Sequence, residues 1–251
     1  MNKIKTIGFA HAVHSTGHLY MRRRKEGYLN SPKPDIIAVT GEKALKWCVD
    51  WANIPPQQIE VIGSPRFTTP TPIKTTKQER YNSLNVLIIS ALEFELPMLI
   101  NFIEEDLLLF EKCKLWIRIG PFSWVHEQNM AISKMQKYIK NIKTDAAPLY
   151  NQIDWSDVVI FNATSAGIEA MLRGRYTINV DLHDLFRTDP LINKGDLSKV
   201  IRCSTPKELR RILHSVRNIK KEELSNIVDN QIDYARKIYS PIDLKKIEEL
   251  I

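Results

Sequence analysis

Short apolar runs at 6–10, 36–40, 59–62, 86–90, 115–119, 158–161 and 176–180 alternate along the chain with segments whose apolar residues recur at helical spacing. Runs of this length, separated by stretches long enough to cross a sheet face, make parallel strands covered by helices rather than hairpins. The class that follows is α/β. Between Phe67 and Leu84 the text changes: TTPTPIKTTKQERYNS is rich in Thr, Pro and Lys, lacks apolar periodicity, and carries prolines that discourage helix and sheet interior. It reads as a linker over 68–84, with a small α/β unit at 1–67 and a larger one at 85–251. Near the end, a strand-like KVIRC precedes STPKELRRILHSV, where Ser204 or Thr205 caps a helix, Pro206 suits its first turn and Glu208 offers the reciprocal cap. The basic remainder is helical.

With 251 residues and 43% apolar content the chain can build a real core. Lys and Arg total 36 against 29 acidic residues, a net +7 that favours anionic partners, with nucleotides, phospholipid surfaces and nucleic acids all admissible. Cys48, Cys113 and Cys203 are odd in number, far apart and without a CxxC pair, as expected of reduced core thiols in a cytoplasmic protein. No stretch approaches the roughly 18–20 apolar residues of a membrane span, and the polar start is no signal peptide. Any membrane association would be peripheral.

One stretch concentrates the chemistry. In VVIFNATSAGIEAMLRGRYTINV a strand runs through a polar turn into a helix from about Ala166 to Leu172, which Gly174 stops before the next strand. A helix start offers unpaired N–H groups and partial positive charge, Thr164 and Ser165 add hydroxyls, and Gly167 permits close approach, so the turn reads as a phosphate seat. Glu169 then stands where a carboxylate can accept both hydroxyls of a ribose. The same letters also fit a simple strand-to-helix turn, with Ser165 as N-cap and Glu169 favourable toward the helix dipole. ATSAG lacks the first glycine of a hydrolase elbow, and neither a Walker loop nor a GxGxxG fingerprint occurs.

DVVIFNATSAGIEAMLRGRYTINVDL resembles the donor-site segment of GT-B glycosyltransferases, above all bacterial surface-carbohydrate and sialyltransferase-like enzymes with a Ser/Thr motif before the donor-lobe helix. Glu169, Ala170 and Gly174 match that family's Glu-Ala pair and helix-ending Gly. TIGFAHA, PDIIAVTGEKALKW and IPPQQIEVIGSPRF resemble pieces of its first lobe in the same order, so the likeness runs over residues 5–215. It implies a Rossmann-like donor lobe preceded by an incomplete second α/β unit. It also implies transfer of a sugar from a nucleotide-sugar donor to a glycan or lipid-linked acceptor in capsule or lipopolysaccharide biosynthesis, with no cofactor. Two departures stand out. Relatives often carry His-Pro where this chain has Gly120-Pro121, leaving Arg118 as the nearby cation. The unit before the linker is short for a complete acceptor lobe, which suggests a fragment or a second chain that supplies the rest.

The remaining residues take their roles from that frame. Substitution at an anomeric carbon needs charge stabilised on the departing phosphate, for which Arg66 and Arg118 qualify, and a base near the acceptor hydroxyl, for which His11 is the candidate. His11, His14 and His18 form HxxHxxxH, but no cysteine or acid cluster completes a zinc set, and no DxD motif appears in a suitable loop. Metal independence is the expectation. MRRRK at 21–25 is a solvated basic loop or a contact for anionic lipid, and DLHDLFRTDP at 181–190 borders the donor pocket or is a plain polar loop. A nucleotide-sugar-binding partner subunit and a sugar-nucleotide epimerase remain as alternatives to a transferase.

Overall fold

The structure is a computed structural model that describes residues 5–11, 34–73, 75–90, 95–110, 112–118, 125–137, 139, 142–145, 147–182, 191 and 197–250. His14, His18, the basic 21–25 stretch, Gly120-Pro121 and most of 181–190 lie outside them.

Two parallel sheets organise the chain. In the first, β1 (Ile7–Ala10), β2 (Ile36–Val39) and β3 (Ile59–Val61) lie in the order β1-β2-β3, with Ile7 opposite Ile36 and Ile37 opposite Ile59. Helix α1 (Glu42–Asp50) buries Ala44, Trp47 and Cys48 against Val39, Ile54 and Ile59, the face that its helical spacing prescribes. In the second, β4 (Leu84–Ile89), β5 (Cys113–Arg118), β6 (Ile142–Lys143), β7 (Val158–Phe161), β8 (Tyr176–Val180) and β9 (Ile201–Cys203) lie in the order β6-β5-β4-β7-β8-β9. The helices accompanying this sheet include α3 (Glu95–Glu104), α4 (Val125–Gln136), α5 (Leu149–Trp155), α6 (Ala166–Leu172), α7 (Pro206–Asn218) and α8 (Lys221–Arg236).

Both faces of the larger sheet are covered. Val86 and Ile88 of β4 join one apolar cluster with Leu99, Leu213 and Ile232, while Leu87 and Ile89 join another with Ile153, Ala166 and Ala170. That double burial is why these strands read as continuous apolar runs rather than as alternating ones.

The Thr/Pro segment is not the featureless linker that its composition suggests. Thr76 accepts from the Glu79 amide and Glu79 accepts from the Thr76 amide, a capping box that starts α2 (Lys77–Asn82) despite the prolines upstream. Its earlier threonines are strapped to the second unit. Thr71 donates its hydroxyl to Asp154, its amide bonds the Arg173 carbonyl, and Arg175 Nη2 donates to Thr71 Oγ1 at 2.6 Å. Thr68 accepts from Arg173, and Thr75 bonds Asp157.

The C-terminal stretch returns to the first unit. Between α8 and α9 (Leu244–Leu250) the chain exchanges backbone bonds with the first turn of α1 and the loops after β2 and β3: Lys43 N to Lys237 O, Ser240 N to Thr40 O, Ser64 N to Ser240 O, and Asp243 N to Ile62 O. Gly63, at φ +87°, has the Pro241 carbonyl where a Cβ would stand, at 2.0 Å. Residues 237–243 therefore tie the C-terminal edge of the small sheet to the large unit.

Candidate functional site

From central β4 the chain fills one side of the large sheet with β5 and β6, then crosses to place β7 on the other side. The strand order reverses between β4 and β7, where Ile89 pairs with Phe161, and open parallel sheets bind ligands beyond the carboxyl ends at such a point. The turn after β7 carries Thr164 and Ser165. The loop after β3 delivers Arg66, from the first unit, to the same place.

Arg66 Nη1 donates to Ser165 Oγ at 2.7 Å and to Glu169 Oε1 at 3.2 Å. Ser165 is the N-cap by position, but it has helical angles (φ −65°, ψ −16°) and its side chain caps nothing. Its hydroxyl belongs to Arg66. Thr164 takes over the local work, its buried Oγ1 accepting from the Ala166 amide at 3.2 Å, while the Gly167 and Ile168 amides donate to the carbonyls of Thr164 and Ser165. Those amides are already committed within the turn. The positive character of the site rests on the guanidinium more than on the helix start.

Gly167 has a different reason from the one its sequence suggests. It is buried, and an added Cβ would lie 2.3 Å from the Phe161 ring, so the glycine lets α6 lie close on β7 rather than admitting a ligand.

Glu169 is 6% exposed. Burial pushes its carboxyl above the ordinary range, and Arg66, the facing Tyr150 hydroxyl and Arg118 offset this only in part. Tyr150 is itself pushed up, first by its own burial and then by the Glu169 charge, and its ring lies 4.9 Å from the Arg173 guanidinium. Arg118, at the end of β5 opposite Ile89, donates Nη1 to Ala147 O at 2.8 Å and to Gln152 Oε1 at 2.7 Å. It acts on Glu169 through its field rather than by contact. His11 is exposed at the end of β1 with its ring 6.2 Å from Phe9, and among the described residues it makes no contact with Arg66, Ser165 or Glu169. Tyr239 completes the cluster from the 237–243 strap. It is fully buried, its hydroxyl facing Ser165 and Arg66, and burial lifts it to about 12 against their opposing pull.

The structure thus brings Arg66, Ser165 and Glu169 together, with no hydrogen bond from His11 to them among the described residues. It adds Tyr150 and Tyr239, which no local pattern marks: each sits in an ordinary helical or post-helical stretch, and only the tertiary fold aims it at the turn.

No protein-family model and no curated protein sequence matches the chain. Solved structures do. TarM is 14% identical over 99% of this chain and 50% of its own, at a TM-score of 0.57. Anabaena HepE in complex with UDP and glucose is 12% identical over 97% and 69%, at 0.55, and a glycosyltransferase from Rickettsia africae is 11% identical over 86% and 62%, at 0.55. The fold is mixed α/β with parallel sheets and a Rossmann-like lobe, like that of these glycosyltransferase structures. At these identities the likeness speaks of fold, and the chain spans half the length of TarM. Among the described residues, no helix is long and apolar enough to cross a membrane.

Proposed function

We propose that the chain binds a nucleotide sugar at the β4/β7 switch point and takes part in sugar transfer to a glycan or lipid-linked acceptor. The observation that carries this reading is the inter-unit cluster: an arginine that is 42% exposed, carried by one sheet, meets a serine and a buried carboxylate carried by the other, at the edge where such sheets bind ligands. A guanidinium and hydroxyls suit the phosphates of the donor, and a carboxylate held by one hydrogen-bonding cation suits a ribose diol. Solved complexes of the same fold, HepE with UDP-glucose and S. aureus TarM with UDP, contain such nucleotides.

In the reaction that this implies, the acceptor hydroxyl attacks the anomeric carbon as the bond to the nucleotide phosphate breaks. Arg66 stabilises the charge that builds on the departing phosphate, with Arg118 reinforcing the field. Ser165 orients that phosphate, and His11, exposed at the end of β1, is the base we assign to the acceptor proton. A cell-surface polysaccharide is the acceptor class we favour, with the chain acting in the cytoplasm or at the inner face of the membrane.

A second reading, a nucleotide-sugar-binding subunit without catalysis, is favoured by Gly120-Pro121 standing where a His-Pro pair would supply an imidazole. Incubation with a panel of CMP-, UDP- and GDP-sugars decides between them. A transferase is stabilised against heat by one donor and releases its nucleotide when an acceptor is added, an epimerase interconverts sugars, and a binding subunit shows the stabilisation alone. Absence of any stabilisation across the panel would refute the whole reading.

A further inference from the structure

A second concavity lies where the two units meet, and none of its residues belongs to the Arg66 cluster. A cavity of about 530 Å³ opens between α1 and β3 of the first unit and the end of α8 and the residues before β9 of the second, an ordinary size for a small-molecule site. Leu45 and Val61 give it an apolar wall, and Ser240 lines it from the strap. Its charges are divided between the units. Glu42, in the first turn of α1, belongs to one side, while Arg236, in the last turn of α8, and Lys237, which follows it as C-cap, belong to the other. Each stands at the helix end that its sign suits, so the helix dipoles favour all three without consuming any charge. Among the described residues none of these three side chains makes a hydrogen bond or an ion pair. The remaining charged groups of the lining, Lys199 and Asp233, face each other at 4.0 Å within the second unit.

Opposite charges that share a cavity without reaching one another fit a molecule that carries both. A bare anion would be drawn to Arg236 and Lys237 but repelled by Glu42, and a bare cation would meet the reverse. Two cations match the nearly double charge of a phosphate monoester, and one carboxylate matches an ammonium. We propose that the cavity binds a small aminoalkyl phosphate, its phosphate held by Arg236 and Lys237, its ammonium by Glu42, and its carbon chain lying against Leu45 and Val61. The phosphate diester of a lipid headgroup carries a single charge and leaves one of the two cations unmatched, so the free monoester is the occupant. Helices α1 and α8 already meet here, with Lys43 Nζ 4.1 Å from the centre of the Tyr234 ring and Lys43 N bonded to Lys237 O at 2.8 Å. A bridging ligand therefore braces the junction, and with it the strap from which Tyr239 faces Ser165 and Arg66. The site does not depend on the nucleotide-sugar reading.

Calorimetric titration of the full chain with phosphoethanolamine, inorganic phosphate and ethanolamine tests the site. Wild-type protein is expected to bind phosphoethanolamine more tightly than either half alone. Glu42 and Arg236 are exposed, so Glu42→Gln and Arg236→Gln should fold as wild type does. Glu42→Gln is expected to weaken phosphoethanolamine about two- to fivefold, the range of an exposed ion pair, and to leave inorganic phosphate as tight as before or tighter. Arg236→Gln is expected to weaken both. Wild-type protein that ignores phosphoethanolamine, or that holds inorganic phosphate equally well, overturns the proposal. Phosphate compounds that bind wild type and Arg236→Gln alike are held elsewhere and overturn it too. Phosphatidylethanolamine vesicles that sediment the wild-type chain, when free phosphoethanolamine does not bind, also overturn it and assign these charges to a bilayer.

Discussion

Glu169 is kept in the fold against its own stability. Its carboxyl titrates above the ordinary range, so the folded chain holds the proton to higher pH than the unfolded chain does, and stability falls as pH rises from the ordinary carboxylate pKa of about 4.3 through the folded value. Glu169→Gln removes that penalty and retains a hydrogen-bond acceptor for Arg66. Thermal melts should place the variant at or above wild type at pH 7.5, with the difference vanishing toward pH 4; a variant less stable at every pH would mean that the ion pair outweighs the burial. Gly167 carries the opposite prediction. Gly167→Ala drives a methyl to within 2.3 Å of the Phe161 ring, and overpacking of this kind destabilises by about 1–3 kcal/mol, measurable as a lower denaturant midpoint. The sequence singled out Ser165, Glu169 and Arg66, and the structure brings these together. It could not show that Ser165 leaves the capping to Thr164, because the cap depends on backbone angles, nor that Tyr150 and Tyr239 join them from 15 residues before and 74 after Ser165.

Elements with long apolar runs were the legible ones. Strands β7 and β8 match the sequence ranges at both ends, and α6 matches its helix, because uninterrupted Val, Ile and Phe bounded by polar turns leave little choice. Strand β6 has only Ile142 and Lys143, too short for any periodicity, and it exists through its pairing with Leu115 and Trp116. In α2 the signal was present in the Thr76-x-x-Glu79 spacing, but the prolines at 70 and 72 outweighed it in the sequence reading. Those prolines lie in the Thr/Pro segment that Asp154, Arg173 and Arg175 hold through Thr68 and Thr71. Hydrogen bonding from Arg173, with Thr71 and Arg175 adding to it, holds the Asp154 carboxyl down at about 2. Its contribution to stability is therefore present above the ordinary carboxylate pKa of about 3.9 and is lost as pH falls toward 2. Asp154→Asn should be less stable than wild type at neutral pH, with the gap between the two closing from pH 4 to pH 2 in acid unfolding curves. A gap that is constant with pH would assign the hold on that segment to packing instead.

At the scale of the molecule, two parallel sheets meet through the loops at their C-terminal edges, and the 237–243 strap sets how they meet. That return of the chain was not legible in the sequence, since its bonds are made by main-chain groups, which every residue has. Gly63 is where the approach is tightest. Gly63→Ala combines φ +87° with a 2.0 Å collision at the Pro241 carbonyl and should destabilise by more than about 1 kcal/mol, while nucleotide affinity falls with it because Arg66 lies on the same loop. The account stands or falls on the meeting of Arg66 with the turn after β7. Because the Ser165 side chain caps nothing, Ser165→Ala leaves the helix start intact and removes only the bond from the part-exposed Arg66, so the variant should stay folded, with any loss of stability read from its melting temperature alongside affinity. Calorimetry with whichever nucleotide sugar the panel selects should show affinity reduced by about 10- to 150-fold, the loss expected for one hydrogen bond to a charged group of about 1.5–3 kcal/mol. Unchanged affinity in a folded Ser165→Ala protein would contradict the placement of the donor at this turn.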